Sequence, residues 1–459
     1  MLPEDALLEI FDWYLKGNRF IFYKIEIWQV LGHICRKWRN LVFGSPHRLY
    51  LQLFCTGNKP VKEMLDIWPP LPIIVLGEST TTDEDNIVAA LEQNNRVCQI
   101  RLKYLQNSLW EKVFTVMREP FPVLTSIELH SSGEEPPTVS DLFLGRSAPH
   151  LQFLQLHGVP FPGLPKLLPS ATHLVTLHLW DISRSGYIPP EAMVTALSAL
   201  TALKEFQLQF RSHRSCPDRE HRYLPPPTRS VLPALLHFIF RGVTKYLEDL
   251  VARIDAPLLD RLEITLSPQL IFHTPQFARF IGRTPNLMAY DEAHVVFTTY
   301  NAELQLARYR GLRLEIHCDQ SDWQLSMLAQ LCTSSLPLVS SLEHLYIHEY
   351  EIIFFQPRWE DDIENIQWLE LLHPFTTVKA LYLSRDITSR IAPALEELVG
   401  ERVAEVLPAL QSLFLEELKP SEPVQKAIDK FVATRQLSNR PIAISHWNGK
   451  PSPWWMVND

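Results

Sequence analysis

One six-residue pattern recurs along most of this chain and restricts what the chain can become. The template is apolar-x-x-apolar-x-apolar, a short strand whose side chains alternate between two faces. Clear copies begin at Val97 (VCQIRL), Leu124 (LTSIEL), Leu151 (LQFLQL), Leu174 (LVTLHL), Leu203 (LKEFQL), Leu235 (LLHFIF), Leu259 (LDRLEI), Leu342 (LEHLYI), Val378 (VKALYL) and Leu410 (LQSLFL). Weaker copies begin at Leu287 and Tyr309. Successive starts lie 22–36 residues apart, which leaves room for one helix between strands. One match would say little, because any half-buried strand can show it; ten at this spacing are strong. Helical segments fill the intervals: EAMVTALSALT from Glu191, VTKYLEDLVARI from Val243, DWQLSMLAQLC from Asp322, IENIQWLELL from Ile363 and LEELVGERVAEVL from Leu395.

Strand and helix alternating at this period predict an α/β fold, a leucine-rich-repeat solenoid with parallel strands on its concave face and helices on its convex face. The repeats are irregular, since the usual Asn/Cys step after each strand is mostly missing. The array is expected over residues 58–446, with a further strand at Ile73–Leu76 and a tail over 447–459. Arg211–Arg229 contains Pro225-Pro226-Pro227, which forbids helix, and reads as a long exposed loop. Residues 1–57 differ in character and read as a small all-helical domain. Pro3 opens a helix with Glu4 and Asp5 in its first turn, where carboxylates suit the dipole. Leu7, Ile10, Phe11 and Tyr14 then share one face. A second helix is expected from Trp28 to Val42, with Leu31, Ile34, Cys35, Trp38, Leu41 and Val42 on its apolar stripe.

Composition excludes several function classes. Net charge is −9 over 459 residues, the wrong sign for a general binder of nucleic-acid backbone. With only 15 glycines, no two closer than Gly158 and Gly163, neither G-x-G-x-x-G nor G-x-S-x-G occurs. Leu164-Pro165 follows Gly163 where a P-loop needs Lys and Ser/Thr. Six scattered cysteines, the nearest pair being Cys318 and Cys332, form no C-x-x-C. The acidic opening MLPEDALLEIF is unlike a signal peptide, and no apolar run approaches a membrane span. The chain is expected to be soluble and intracellular, cytoplasmic or nuclear, with no cofactor, metal, nucleic-acid or membrane partner. No nucleophile–base spacing singles out a catalytic group.

LPEDALLEIF followed by ICRKWRNLV resembles an F-box: a Leu-Pro start, an apolar helix, then a Cys-x-x-Trp helix at Cys35–Trp38. The longer chain resembles the fungal F-box proteins with leucine-rich repeats. Stretches that carry the likeness are SPHRLYLQLFCTGNKPVKEMLDIWPPLPI from Ser45, YLEDLVARIDAPLLDRLEIT from Tyr246 and WLELLHPFTTVKALYLS from Trp368. The resemblance implies a non-catalytic substrate receptor of an SCF-type ubiquitin ligase, a monomer within a heteromeric complex. Its F-box would dock on the Skp adaptor, and through it a cullin, while the repeats hold a protein substrate. Leu2, Pro3, Leu7, Ile10, Phe11, Ile34, Cys35, Trp38 and Leu41 are the implied adaptor-binding residues. The alternative is an interaction scaffold with a degenerate F-box and no ligase role.

In each repeat the three template residues point inward, so the residues between and just after them line the open face. That predicts a ladder of Gln155, His157, His178, Trp180, Gln207, Ile239, Arg241, Glu263, Arg313, Tyr346, His348, Tyr382 and Phe414. Its substrate-binding candidates are His157, Trp180, Arg241, Arg313, Tyr346, Tyr382 and Phe414. Large aromatics on a predicted exposed face suit a partner, or cover by a neighbouring segment. His344, His348 and Glu349 read HLYIHEY rather than H-E-x-x-H and fall on a strand, so no metal site is expected. The acidic run Glu360–Asp362 reads as a solvated helix start, and Arg211, Arg214, Arg219 and Arg222 as a solvated loop.

Overall fold

The computed structural model describes residues 3–17, 27–44, 51–57, 60–67, 70–78, 82–131, 136–217, 228–267, 273–288, 290–306, 311–318, 321–336, 339, 341–349, 365–416 and 421–447. Leu2, Arg219, Arg222, the triple proline, the Glu360–Asp362 run and the chain after Trp447 lie outside them. The chain divides into two compact units, Met1–Ile188 and Pro189–Asp459.

The first unit opens with three helices, α1 (Glu4–Gly17), α2 (Ile27–Ile34) and α3 (Arg36–Gly44). The single helix expected from Trp28 to Val42 is broken at Cys35. There the Cys35 carbonyl accepts the Arg39 N–H at 3.0 Å and its Sγ takes the Trp38 N–H at 3.5 Å. Cys35 thus caps α3, and the Arg39 side chain ties back to the Gly32 carbonyl at 2.9 Å. Leu7, Phe11, Leu31, Leu41 and Val42 form the buried centre of these helices.

Six strands follow: β1 (Leu51–Phe54), β2 (Ile73–Glu78), β3 (Val97–Lys103), β4 (Ser126–His130), β5 (Phe153–His157) and β6 (Thr176–Ile182). Each pairs in parallel with the next in chain order. Parallel neighbours need a crossover, which α4 (Val61–Ile67), α5 (Glu84–Leu91) and α6 (Asn107–Val116) supply for the first three pairs. Among the described residues, the later crossovers hold a 3₁₀ turn at Phe143–Arg146, the four-residue α7 (Leu164–Leu167) and a 3₁₀ turn at Leu168–Ser170. Pro160, Pro162, Pro165 and Pro169 crowd the last two, and proline ends helices quickly. The template residues are buried as expected; Leu151, Leu154 and Leu156 have no more than 3% exposure.

The second unit contains β7 (Glu205–Phe210), β8 (Ser230–Val231), β9 (His237–Gly242), β10 (Ile254–Asp255), β11 (Arg261–Leu266), β12 (Glu292–Phe297), β13 (Asn301–Leu306) and β14 (Gly311–His317). It continues with β15 (His344–Glu349), β16 (Ala380–Leu383), β17 (Ser412–Leu415) and β18 (Ala443–His446). Its helices are α8 (Pro190–Leu197), α9 (Thr244–Val251), α10 (Pro275–Gly282), α11 (Ser321–Ser335), α12 (Asn365–Leu372), α13 (Arg385–Glu396) and α14 (Glu422–Leu437). The main sheet runs β7-β9-β11-β14-β13-β12-β15-β16-β17-β18, and β8 pairs separately with β10.

That order corrects the expectation of an uninterrupted parallel array. β12 and β14 both pair antiparallel with β13, while β14 lies parallel to β11 and β12 parallel to β15. The weak copies at Leu287 and Tyr309 belong to this reversal: β14 matches the second, whereas β12 starts at Glu292, beyond the first. Gly311 opens β14 at φ +99, and a Cβ there would lie 2.5 Å from the Leu306 carbonyl oxygen, so the return requires glycine. The helix expected from Leu395 is also displaced. α13 ends at Glu396, and Gly400–Ala404 is a 3₁₀ turn. A large parallel-dominated sheet with helices between its strands fits an α/β repeat solenoid.

Candidate functional site

The three helices sort the predicted adaptor residues into two groups. Leu7, Phe11 and Leu41 are buried and hold the helices together; they are not free to dock. Trp38 is half-buried, its ring 4.7 Å from that of Phe11. Pro3, Ile10, Ile34 and Cys35 are exposed. Ile10 at 47%, Ile34 at 55% and Trp13 at 80% are large apolar side chains in water. Trp13 escaped the sequence reading because it falls off the apolar stripe that defines the helix core; being off the stripe is what leaves it exposed.

In the first unit, strand register brings open-face residues into rows. Arg101, Glu128, Gln155 and His178 form one row, and Lys103, His130, His157 and Trp180 the next. Glu128 sits at the centre, bonded to Arg101 at 2.7 Å, Lys103 at 2.8 Å and His130 at 3.2 Å. Burial opposes its ionisation, but the bonds from His130 and Lys103 and the charge of Arg101 outweigh this and hold the carboxyl at about 2. Gln155 bridges His130 at 2.7 Å and His178 at 3.4 Å. His157 stacks on His130 at 5.4 Å and meets the edge of Trp180 at 6.2 Å, so these two predicted residues do lie together. Gln155 and His178, expected on the open face, are each 8% exposed, and so is Gln207 of the second unit. Glu128, His130, Arg101 and Lys103 were missed, although the rule that placed Gln155 and His157 reaches them when applied to β3 and β4.

In the second unit, the reversal around β13 gathers a polar cluster. Arg313 pairs bidentately with Glu303 at 2.6 and 2.9 Å and lies 3.6 Å from both Glu263 and Glu315. Burial pushes the Glu303 carboxyl up, with Arg313 opposing it; burial opposes the charge on Arg313, and the three carboxylates outweigh that and raise its pKa. Arg313 is thus held by its own sheet. Arg241 is exposed, in register with Gln209 and Thr265.

Beyond β13 the face becomes aromatic. His294, Tyr346, Tyr382 and Phe414 occupy one register row on β12, β15, β16 and β17. Their rings stack nearly parallel at 4.5, 4.1 and 4.4 Å. Adjacent strands set such a spacing directly. Trp447 lies against this column, 5.8 Å from both Tyr346 and Tyr382. His294 was missed because the weak copy at Leu287 misplaced its strand, and Trp447 because it was assigned to the tail.

Burial raises the thiols of Cys55, Cys98, Cys216 and Cys332 to about 12, with Asp83 adding to this at Cys55. Among the described residues no His, Cys, Asp and Glu group could hold a metal ion, and no helix is long and apolar enough to cross a membrane.

No protein-family model matches the chain, and no curated protein matches it. Among solved structures it is similar to a leucine-rich repeat-containing protein of Legionella pneumophila, at 11% identity and a TM-score of 0.29, covering 83% of this chain and 97% of that one.

Proposed function

We propose that this chain is a non-catalytic protein-binding receptor whose sheet face holds a partner. The carrying observation is the row of Tyr346, Tyr382 and Phe414, half-buried rings on the sheet face with buried His294 at their end; a row of aromatic rings left partly open suits a partner. Resemblance to F-box proteins with leucine-rich repeats supports a finer reading. In it, Ile10, Trp13, Ile34 and Cys35, with Pro3 beside them, dock on a Skp adaptor, and the repeats present a substrate to a ubiquitin ligase. The mechanism is proximity: tethering raises the effective concentration of substrate lysines near the charged enzyme.

The test is co-expression of the full chain with a fungal Skp adaptor, followed by size-exclusion chromatography. Trp13→Ser combined with Ile34→Asp removes exposed apolar surface and leaves Leu7, Phe11 and Leu41 in place. A one-to-one complex with the parent chain, lost in the double variant, is the expected result. A folded parent chain that elutes alone would sink the ligase reading and leave the scaffold. Partner capture on immobilised full chain, compared with Tyr382→Ala, tests the sheet face separately.

A further inference from the structure

The last strand of the second unit is held unlike the others. β18 pairs in parallel with β17 over four residues, and the ladder extends through Ala443 N–H to Gln411 O and Trp447 N–H to Leu415 O, both 2.9 Å. Its side chains add almost nothing to the core. Ala443, Ile444 and His446 are exposed and Ser445 is half-buried. In β16 and β17 the inward positions are fully covered. Beyond the ladder, among the described residues, only the His446 Nδ1, 3.2 Å from the Leu415 carbonyl oxygen, ties a β18 side chain to β17. A strand attached almost wholly by main chain can be exchanged for any extended segment that offers the same donors and acceptors.

One further side chain, that of Trp447, engages the aromatic row. The rings of Tyr346, Tyr382 and Phe414 face each other, so only their edges turn outward. Ring edges carry the positive end of the quadrupole and favour the face of another aromatic ring. Trp447 supplies one, inclined 54° to Tyr346 and 68° to Tyr382. The segment also begins at a firm anchor. Ile442 is buried, and Arg440 N–H closes the end of α14 on the Arg435 carbonyl at 2.9 Å.

We propose that β18 and Trp447 are the chain's own occupant of a peptide-binding edge, displaced by an extended partner segment that pairs in parallel with β17 and sets an aromatic residue over Tyr346 and Tyr382. Positions equivalent to Ala443–Ser445 exert little selection, because their side chains are exposed or half-buried, and the position of His446 adds one bond to the Leu415 carbonyl. Recognition falls to the backbone and one aromatic anchor. This inference rests on the reading of the sheet face as a protein-binding surface.

The probe is a fluorescein-labelled peptide of residues 441–447 (PIAISHW), added to the full chain and to its Trp447→Ala variant. Anisotropy is expected to show at least tenfold tighter binding to Trp447→Ala than to the parent. Replacing the peptide's tryptophan by alanine, or adding Tyr382→Ala to the variant, is expected to abolish it. Amide exchange in the parent is expected to run at least tenfold faster at Ile444–Trp447 than at Leu413 and Leu415. A Trp447→Ala chain with parental circular dichroism and melting that takes up no peptide overturns the inference; so does protection of β18 equal to that of β17. The partner-capture comparison keeps the two failures apart. If Tyr382→Ala abolishes capture while the peptide never binds, the displaceable strand alone is wrong. If capture is indifferent to Tyr382, the receptor reading fails instead.

Discussion

Arg435 offers the sharpest test of how the second unit is held together. It lies in the last turn of α14 with no solvent exposure. Its guanidinium donates to the carbonyls of Val403 at 3.0 Å, Leu407 at 3.3 Å and Leu410 at 2.8 Å. Burial, then the nearby charge of Arg440, pushes its pKa down. A planar fork with several donors suits carbonyls diverging from one turn, and lysine could not reach all three. Arg435→Met keeps length and removes the donors. Leu407 retains the Leu410 N–H at 3.1 Å, so two carbonyls, Val403 and Leu410, would face an apolar side chain. At about 1–3 kcal/mol per buried acceptor left unsatisfied, the gross cost is roughly 2–6 kcal/mol. Relief of the buried charge returns part of it, and a net loss of about 3 kcal/mol is expected. Urea denaturation followed by tryptophan fluorescence, with amide exchange across α14, would measure it. The exchange should accelerate first in α13, α14 and β17, because repeats lean on their neighbours. An Arg435→Met chain with an unchanged midpoint would refute the reasoning and show that desolvation cancels the three bonds.

Two further effects can be checked on the same chain. Glu128 moves from an ordinary value of 4.5 in the unfolded chain to about 2 in the fold. Its contribution, about 3 kcal/mol, is present above pH 4.5 and is lost as pH falls toward 2, so Glu128→Gln should be less stable than the parent at pH 7 and converge with it at pH 2. Glu248 of α9 accepts the Gln276 and Phe277 amides at 2.9 and 2.8 Å and so caps α10, whose own Thr274 makes no side-chain cap; Glu248→Ala should cost about 1 kcal/mol and speed exchange at those two amides.

Much of the strand placement is legible in the sequence, because period-2 alternation is a local property. β3, β4, β9, β11, β16 and β17 fall on their template copies, and the buried template leucines follow. Strand direction is not local. β13 has the same alternation as its neighbours, so nothing within Asn301–Leu306 marks it as antiparallel; only the choice of partner does. The break at Cys35 was hidden for a similar reason, since an apolar stripe continues across it while the backbone does not. On the open face, Tyr346, Tyr382 and Phe414 were found because one register row repeats a residue type. Arg435 was invisible: an arginine in a last helical turn reads as solvated until three distant carbonyls converge on it.

The strand reversal also sets when strands can pair during synthesis. β11 finds β9 from the chain already made, 24 positions back from Arg261 to His237, but its other neighbour begins at Gly311, 50 positions ahead. At ribosomal rates of about 5–20 residues per second, that edge stays open for roughly 3–10 s. β12 waits similarly for β15, from Glu292 to His344. A repeat array of parallel strands could close rung by rung as it emerges; this one must hold an unsealed edge at its middle, which makes β11 the stretch on which a nascent-chain chaperone or a misplaced strand would first act.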